Sequence, residues 1–209
     1  MKIAVVCANG KAGKLITEEA VKRGLDVTAV VRGSNKTNAP HTLVKDILDI
    51  KAEDLKGFDV VIDAYGTFDP ETFGMHTKTL MTLCDALSGT KTRLLVVGGA
   101  GSLYVNPEHT AQLYQQPDFP EDYRPLATAQ ANQLAELRKR NDVNWTFVSP
   151  AADFRADAPR TGKYILAGEE FTVNSKGESI ISYADYAIAM VDEAVNGNHI
   201  RQRISVLGE

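Results

Sequence analysis

Cys7, Gly10 and Gly13 stand three residues apart, directly after the apolar run Ile3-Ala4-Val5-Val6 and directly before an amphipathic stretch. Arg32 closes the next apolar run, Val27 to Val31. Small residues between a buried strand and a helix allow a tight turn, and the first N–H groups of the helix then lack an intrahelical acceptor. Those groups and the helix dipole favour an anion, a pyrophosphate above all. Proteins that bind NAD place an acid near the end of the second strand, about 20 residues beyond the glycines, to hold the ribose 2′-hydroxyl. Here Arg32 takes that place. An acid would repel a 2′-phosphate, whereas a guanidinium grips it bidentately. The set predicts a dinucleotide cofactor, NADP, with NADPH preferred over NADH.

The dinucleotide fingerprints are G-x-x-G-x-x-G and G-x-G-x-x-G, so Cys7 replaces a glycine. Cysteine is small, and the exchange weakens the motif without erasing it. Asn9 and Gly10 are expected to take the unusual backbone angles of the turn. Gly13, with no side chain, lets the helix lie against the strand. The helical pattern runs through Leu15, Ile16, Ala20 and Val21 and ends at Arg23-Gly24, a basic residue and a C-cap glycine. The competing readings are an ordinary strand–helix turn without a ligand and a solvated strand-end arginine. Turn and arginine side by side favour the cofactor. Ser34, Asn35 and Lys36 follow and are placed to help Arg32.

Such residues need a sheet to hold them, and the rest of the chain supplies one. Leu43-Val44 is a short third strand, and Asp46 and Ile47 after it are either adenine contacts or a strand-end turn. Phe58 to Asp63 is a fourth strand ending in Ala64, Tyr65 and Gly66, where small residues let a cofactor pass close to the backbone. Thr72 to Leu87 is a helix with Phe73, Leu80, Leu83 and Leu87 inward. Arg93 to Val97 is a fifth strand, followed by Gly98-Gly99-Ala100-Gly101-Ser102. That glycine cluster marks a close approach by backbone or ligand. Residues 103–123 are a long loop rich in Pro and aromatics, the kind that forms lids. Leu126 to Arg140 is a helix, and Trp145 to Val148 a sixth strand ending in Ser149-Pro150.

This alternation predicts an α/β fold, a doubly wound parallel sheet of Rossmann-like type with right-handed crossovers. Short β-like pieces at Glu170 to Val173 and Ser179 to Ser182 flank the turn signal Asn174-Ser175-Lys176-Gly177. A helix follows within Ile180 to Val195, and then a last strand, Arg203 to Leu207. The expected organisation is a single domain, with residues 1–150 as cofactor-binding core and 151–209 as a small substrate-side extension. A length of 209 residues suits one such domain. A net charge of −4 argues against nucleic acid as a partner. Charged Lys11, Lys14 and Glu18 interrupt the start early, and no apolar run reaches the roughly 20 residues of a membrane span. A cytoplasmic location without a membrane partner is the expectation. Cys7 and Cys84, in an expected strand and helix, lack metal-ligand spacing and read as reduced, buried thiols. The four histidines show no metal spacing either. The oligomeric state stays open, because the apolar faces of the two long helices are needed for the sheet.

The chain resembles the atypical short-chain dehydrogenase/reductases, the group that includes biliverdin reductase B and NADH-flavin reductases. The stretches that carry the resemblance are CANGKAGK, VVRG, LLVVGGAGSLYV, WTFVSPAADF, RTGKYIL and ISYADYAIAMVDE, which run nearly end to end. The resemblance implies that Ala8, Asn9, Gly10, Lys11, Ala12, Gly13, Arg32, Ala64, Tyr65, Gly66, Gly98 and Gly99 contact NADP. It further implies that Pro150 and Ala151 lie beside the nicotinamide and that Ser102 sits at the hydride-transfer site.

Most short-chain reductases use a Tyr-x-x-x-Lys pair, in which lysine lowers the tyrosine pKa for proton transfer. Counting back from WTFVSP puts those slots at Ala127 and Ala131, which carry no proton. Tyr123, one turn earlier, has no lysine after it. An alcohol–ketone reaction is therefore disfavoured, as is an epimerase or dehydratase. Flavin reduction needs no such acid, because hydride goes to the isoalloxazine N5 and solvent supplies protons. The first functional reading is thus an NADPH-dependent oxidoreductase acting on a flavin or similar conjugated acceptor. The alternative is a non-catalytic NADP-binding regulator like the NmrA-type redox sensors of this fold. A serine hydrolase at Ser102 would need a histidine partner, with His76 and His109 candidates only by default. Asp153 reads as a turn residue or a pocket acid. Arg155 and Arg160 read as solvated or as partners of an anionic substrate.

Overall fold

Along the first strand, side chains alternate between two buried clusters. Ile3 and Val5 join one, Ala4 and Val6 the other. A strand with both faces buried must lie inside a sheet covered on two sides. The computed structural model, which describes residues 1–209, has this architecture. Its strands are β1 (Lys2–Val6), β2 (Asp26–Val31), β3 (His41–Val44), β4 (Val60–Asp63), β5 (Arg93–Val97), β6 (Asn144–Ser149), β7 (Asp153–Arg155), β8 (Ile165–Ala167), β9 (Ile180–Ser182) and β10 (Gln202–Leu207). The helices are α1 (Lys11–Lys22), α2 (Ala52–Leu55), α3 (Met75–Leu87), α4 (Arg124–Leu137) and α5 (Tyr183–Asn196).

The main sheet runs β3-β2-β1-β4-β5-β6-β10-β8. All pairings are parallel except β8 on β10. The chain moves outward from β1 to β3, then returns to β4 on the other side. That reversal beside β1 is the switch point at which open α/β sheets place ligands. Val6 lies opposite both Val30 and Asp63, so three strands end at one level there. One face is covered by α1 and α5, which contribute Ile16, Ala20, Tyr186 and Met190. The other is covered by α3 and α4, which contribute Leu80, Leu83, Leu134 and Leu137.

The sheet is thus mixed only at its edge. The expected strand over 170–173 is absent, and Glu170 makes an isolated bridge to Tyr104. The edge strand comes earlier, at Ile165–Ala167, and β7 pairs with β9 in a small separate sheet. Asp153, read as a turn residue or a pocket acid, begins β7 instead and pairs with Arg155 at 2.6 Å. β10 extends the main sheet and α5 packs on α1, so residues 183–207 are integral to the core.

Gly98 lies under the ring of Phe147, a fully buried side chain of β6. A Cβ at Gly98 would stand 2.2 Å from that ring. Overpacking of this kind costs about 1–3 kcal/mol. Gly98→Ala is expected to lower unfolding stability by that amount in urea titration. Gly98→Ala combined with Phe147→Leu should lose less than the sum of the two single changes. Full additivity would place the clash elsewhere.

Candidate functional site

The turn between β1 and α1 is built on the Cys7 carbonyl. Gly10 donates its N–H to that oxygen at 2.9 Å. A Cβ on Gly13 would stand 2.5 Å from the same oxygen, so only glycine lets α1 rest there. The unusual angle falls on Cys7, with φ +59°, and not on Asn9 or Gly10. Cys7 therefore follows the strand and adopts the left-handed conformation that glycine takes freely. Gly10 is the N-cap of α1, makes no side-chain cap, and no acid lies in the first turn. The leading N–H groups are thus left to a ligand.

Asn9 ties this turn to the segment after β2. Its amide donates to the Ser34 carbonyl at 2.9 Å and accepts from the Lys36 N–H at 2.8 Å. Between them opens a cleft of about 930 Å³ at the ends of β1, β2, β3 and β4. Of the expected contacts, Asn9, Gly10, Arg32, Asp46, Ile47, Ala64, Tyr65 and Gly66 line it. Arg32 is exposed and has no hydrogen-bond or ion-pair partner. Asp46 also caps the turn at Ile47–Asp49, accepting the Leu48 N–H at 2.9 Å. The strand-end turn reading of Asp46 thus holds, and the same residue lines the cleft.

A family model described as NAD(P)H-binding matches residues 7–194. The chain belongs to this NAD(P)H-binding family. It is 43% identical to the uncharacterized protein YwnB of Bacillus subtilis, over 100% of this chain and 99% of that one. A crystal structure from Streptococcus pneumoniae, described as a candidate NADH-flavin reductase, superposes with TM-score 0.98 at 56% identity, covering 100% of each chain. A candidate epimerase from Bacteroides thetaiotaomicron superposes with TM-score 0.84 at 36% identity, over 99% of this chain and 96% of that one.

The residues present fit the NAD(P)H of this family. An uncapped helix start, a glycine no side chain could replace, and a free guanidinium on the cleft rim suit an anionic dinucleotide. Lys45, Thr67, Asp69, Thr72 and Met75 also line the cleft and were not singled out from sequence. Lys45 was visible as a cation beside Asp46, but its 2.6 Å pairing with Asp54 was not. No helix is long and apolar enough to cross a membrane.

The remaining expected residues lie elsewhere along the strand ends. Ala8 and Gly13 are buried beneath the turn, and Lys11 and Ala12 begin α1. Pro150 and Ala151 are buried just after β6. Gly98 and Gly99 are buried, and each close approach is by a protein side chain: Phe147 at Gly98 and Gln130 at Gly99. Ser102 is also buried. Its Oγ accepts from Arg203 at 3.4 Å and its carbonyl accepts from the same guanidinium at 3.2 Å. Neither His76 nor His109 pairs with it. His76 faces the Thr67 carbonyl and His109 stacks on Tyr104. The expected lid is pinned rather than loose, since the Arg124 guanidinium donates to the carbonyls of Tyr114 and Phe119. Arg160 and Arg155 are ion-paired, Arg160 to the buried Glu19 at 2.6 Å.

Asp63 is the unusual titrating group. It is buried at the end of β4, where Oδ1 accepts the Tyr65 N–H at 3.0 Å and Oδ2 has no partner. Burial pushes its carboxyl up to about 7, against the pull of the Tyr65 N–H. Burial, with the Asp63 charge adding, also pushes the Cys7 thiol up to about 12. Cys7 is a neutral thiol at physiological pH. The folded chain holds the Asp63 proton up to about pH 7, while an unfolded aspartate releases it near 3.8. Asp63 thus lowers stability as pH rises through that window. The difference in unfolding free energy between Asp63→Asn and the parent should shift in favour of the variant between pH 4 and 7.5, by at most about 4 kcal/mol. A difference that is flat with pH would show that Asp63 ionises normally.

Proposed function

We propose that the protein is an NADPH-dependent oxidoreductase that passes hydride to a flavin or a similar conjugated acceptor. The observation that carries this is the free guanidinium of Arg32 on the rim of a cleft whose floor is an uncapped helix start. A cation there has no protein partner to satisfy, and an adenosine 2′-phosphate supplies one. NADPH, when bound, supplies the hydride. In this reading the turn from Ala8 to Gly13 holds the pyrophosphate, and Asp46 and Ile47 flank the adenine. Ala64 to Gly66, Gly98, Gly99, Pro150 and Ala151 form the wall toward the nicotinamide. Ser102, its hydroxyl engaged by Arg203, fixes the base of the 103–123 segment.

The helix that would carry a tyrosine–lysine pair has Ala127 and Ala131 in those slots. Ala127 is buried and packs against Gly101, where a Cβ would stand 2.6 Å from its methyl group. The chain's contribution is then placement and exclusion of water, not proton transfer. That suits an acceptor which takes hydride readily and draws protons from solvent. The Streptococcus relative is described as an NADH-flavin reductase, whereas the free guanidinium of Arg32 supports the phosphorylated coenzyme here.

Calorimetry with the parent protein should give a lower Kd for NADPH than for NADH. Arg32→Asp should raise the NADPH Kd about tenfold or more, equivalent to about 1.4 kcal/mol, and leave NADH within a few-fold. Equal affinities in the parent would remove the role given to Arg32. Turnover is read separately, from loss of the nicotinamide absorbance with FMN and with a tetrapyrrole. Oxidation above the uncatalysed rate is expected. Tight NADPH binding without turnover of any flavin, quinone or tetrapyrrole would favour a redox-sensing regulator instead.

A further inference from the structure

Two arginines of the chain have no carboxylate partner: Arg32 and Arg201. Arg32 lines the cofactor cleft, at the carboxyl ends of the strands. Arg201 lines a second cavity, of about 340 Å³, at the amino ends of β6 and β10 on the opposite side of the sheet. Arg138, Arg203, Glu169 and Trp145 share that cavity.

We infer that this cavity is a binding site for a small dianion of the phosphate class, free or as a monoester. Its three guanidiniums face one carboxylate. Glu169 is gripped by Arg203 at 2.5 and 2.8 Å and by Arg138 at 2.7 and 2.8 Å, so a single negative charge serves two cations. Arg201 adds a third cation, held by one hydrogen bond to the Asn141 carbonyl at 2.9 Å. The cavity wall thus carries two positive charges in excess, which matches a phosphate dianion. The Arg203 side chain is completely buried and shares its carboxylate partner, Glu169, with Arg138, and charges in such a poorly solvated place attract a further anion.

Backbone and packing aim the third cation. Arg201 has φ +55°, a left-handed conformation that side chains rarely adopt, and is fixed by its N–H to the Trp145 carbonyl at 2.6 Å. Trp145 is the one apolar residue of the lining, and its backbone carbonyl is the acceptor that holds Arg201. The guanidiniums come from the C-cap of α4, from the turn before β10 and from β10 itself.

The test must tell this cavity from the cofactor cleft, whose helix start also attracts phosphate, so the Arg201 comparison decides. Arg32→Ala removes the rim cation there, and thermal denaturation of that variant is followed against inorganic phosphate and glycerol phosphate. Sodium chloride of equal ionic strength is the control. A saturable rise in Tm is expected with phosphate and not with chloride. Tighter action of glycerol phosphate would identify a monoester as the preferred source, and equal action the free ion. Adding Arg201→Asn, a residue that tolerates the left-handed backbone, should raise the half-saturating concentration about tenfold or more. In the Arg201→Asn single variant, NADPH affinity should stay at the parental value. The site does not exist if phosphate acts no more strongly than chloride, or if Arg201→Asn leaves half-saturation unchanged. Either result leaves the NADPH reading untouched.

Discussion

The close approach of Gly13 to the Cys7 carbonyl, 2.5 Å from where a Cβ would stand, sets the position of the ligand-facing turn. With no side chain at residue 13, α1 starts directly above the end of β1. Its free N–H groups then lie level with the ends of β2 and β4, because Val6 is in register with Val30 and Asp63. A methyl group at 13 would lift the helix off the strand, and the turn would move away from Asn9's bonds to Ser34 and Lys36. Cys7 takes up the local strain with a left-handed backbone, which for a non-glycine residue costs on the order of 1–2 kcal/mol. The Gly10 N–H and the packing of α1 offset that cost.

The far end of the same helix is fixed by charge. Glu19, almost fully buried, accepts from Arg23 on its own helix at 2.7 Å and from Arg160 at 2.6 Å. Arg23 continues to Asp192 on α5 at 2.6 Å, and Asp192 accepts from the Tyr164 hydroxyl at 2.8 Å. Burial raises the Glu19 carboxyl, and the two guanidiniums more than reverse it, leaving the group below its ordinary pKa. Removing one partner from such a network leaves a buried charge without compensation. The segment 156–164 is thereby tied to the helix that begins at the cofactor turn.

Much of this fold can be read from apolar runs. Residues buried on both faces in β1, β2, β4, β5 and β6 produce continuous hydrophobic stretches, and these appeared in sequence at nearly their final bounds. The edge strand β8 did not, since Leu166 is exposed and the run Tyr-Ile-Leu-Ala is short. Glycines mark close approaches, but what approaches was read as backbone or ligand throughout. At Gly13 it is backbone, whereas at Gly98 and Gly99 it is Phe147 and Gln130, far along the chain. The Ser102–Arg203 contact joins residues 101 positions apart and left no local trace. Cys7 is the instructive departure: a fingerprint position occupied by a non-glycine residue still adopts the glycine conformation, because the surrounding contacts fix it.

Which helix start is open to an anion follows from its capping residues. α5 also begins at a strand end, but Ser182 caps it and accepts the Asp185 N–H at 3.0 Å. Asp185 then brings a carboxylate to that first turn, engaged by the N–H groups of Thr161 and Gly162 and by two hydroxyls. Those bonds outweigh burial and hold its pKa below the ordinary carboxylate range. The positive end of α5 is therefore neutralised from within and is used to fix the RTGKYIL segment. α1 has neither a cap nor an acid in its first turn, and Lys11 and Lys14 add positive charge there instead. The same dipole serves structure at one helix and recognition at the other, and the choice is made by a serine and an aspartate against a glycine and two lysines.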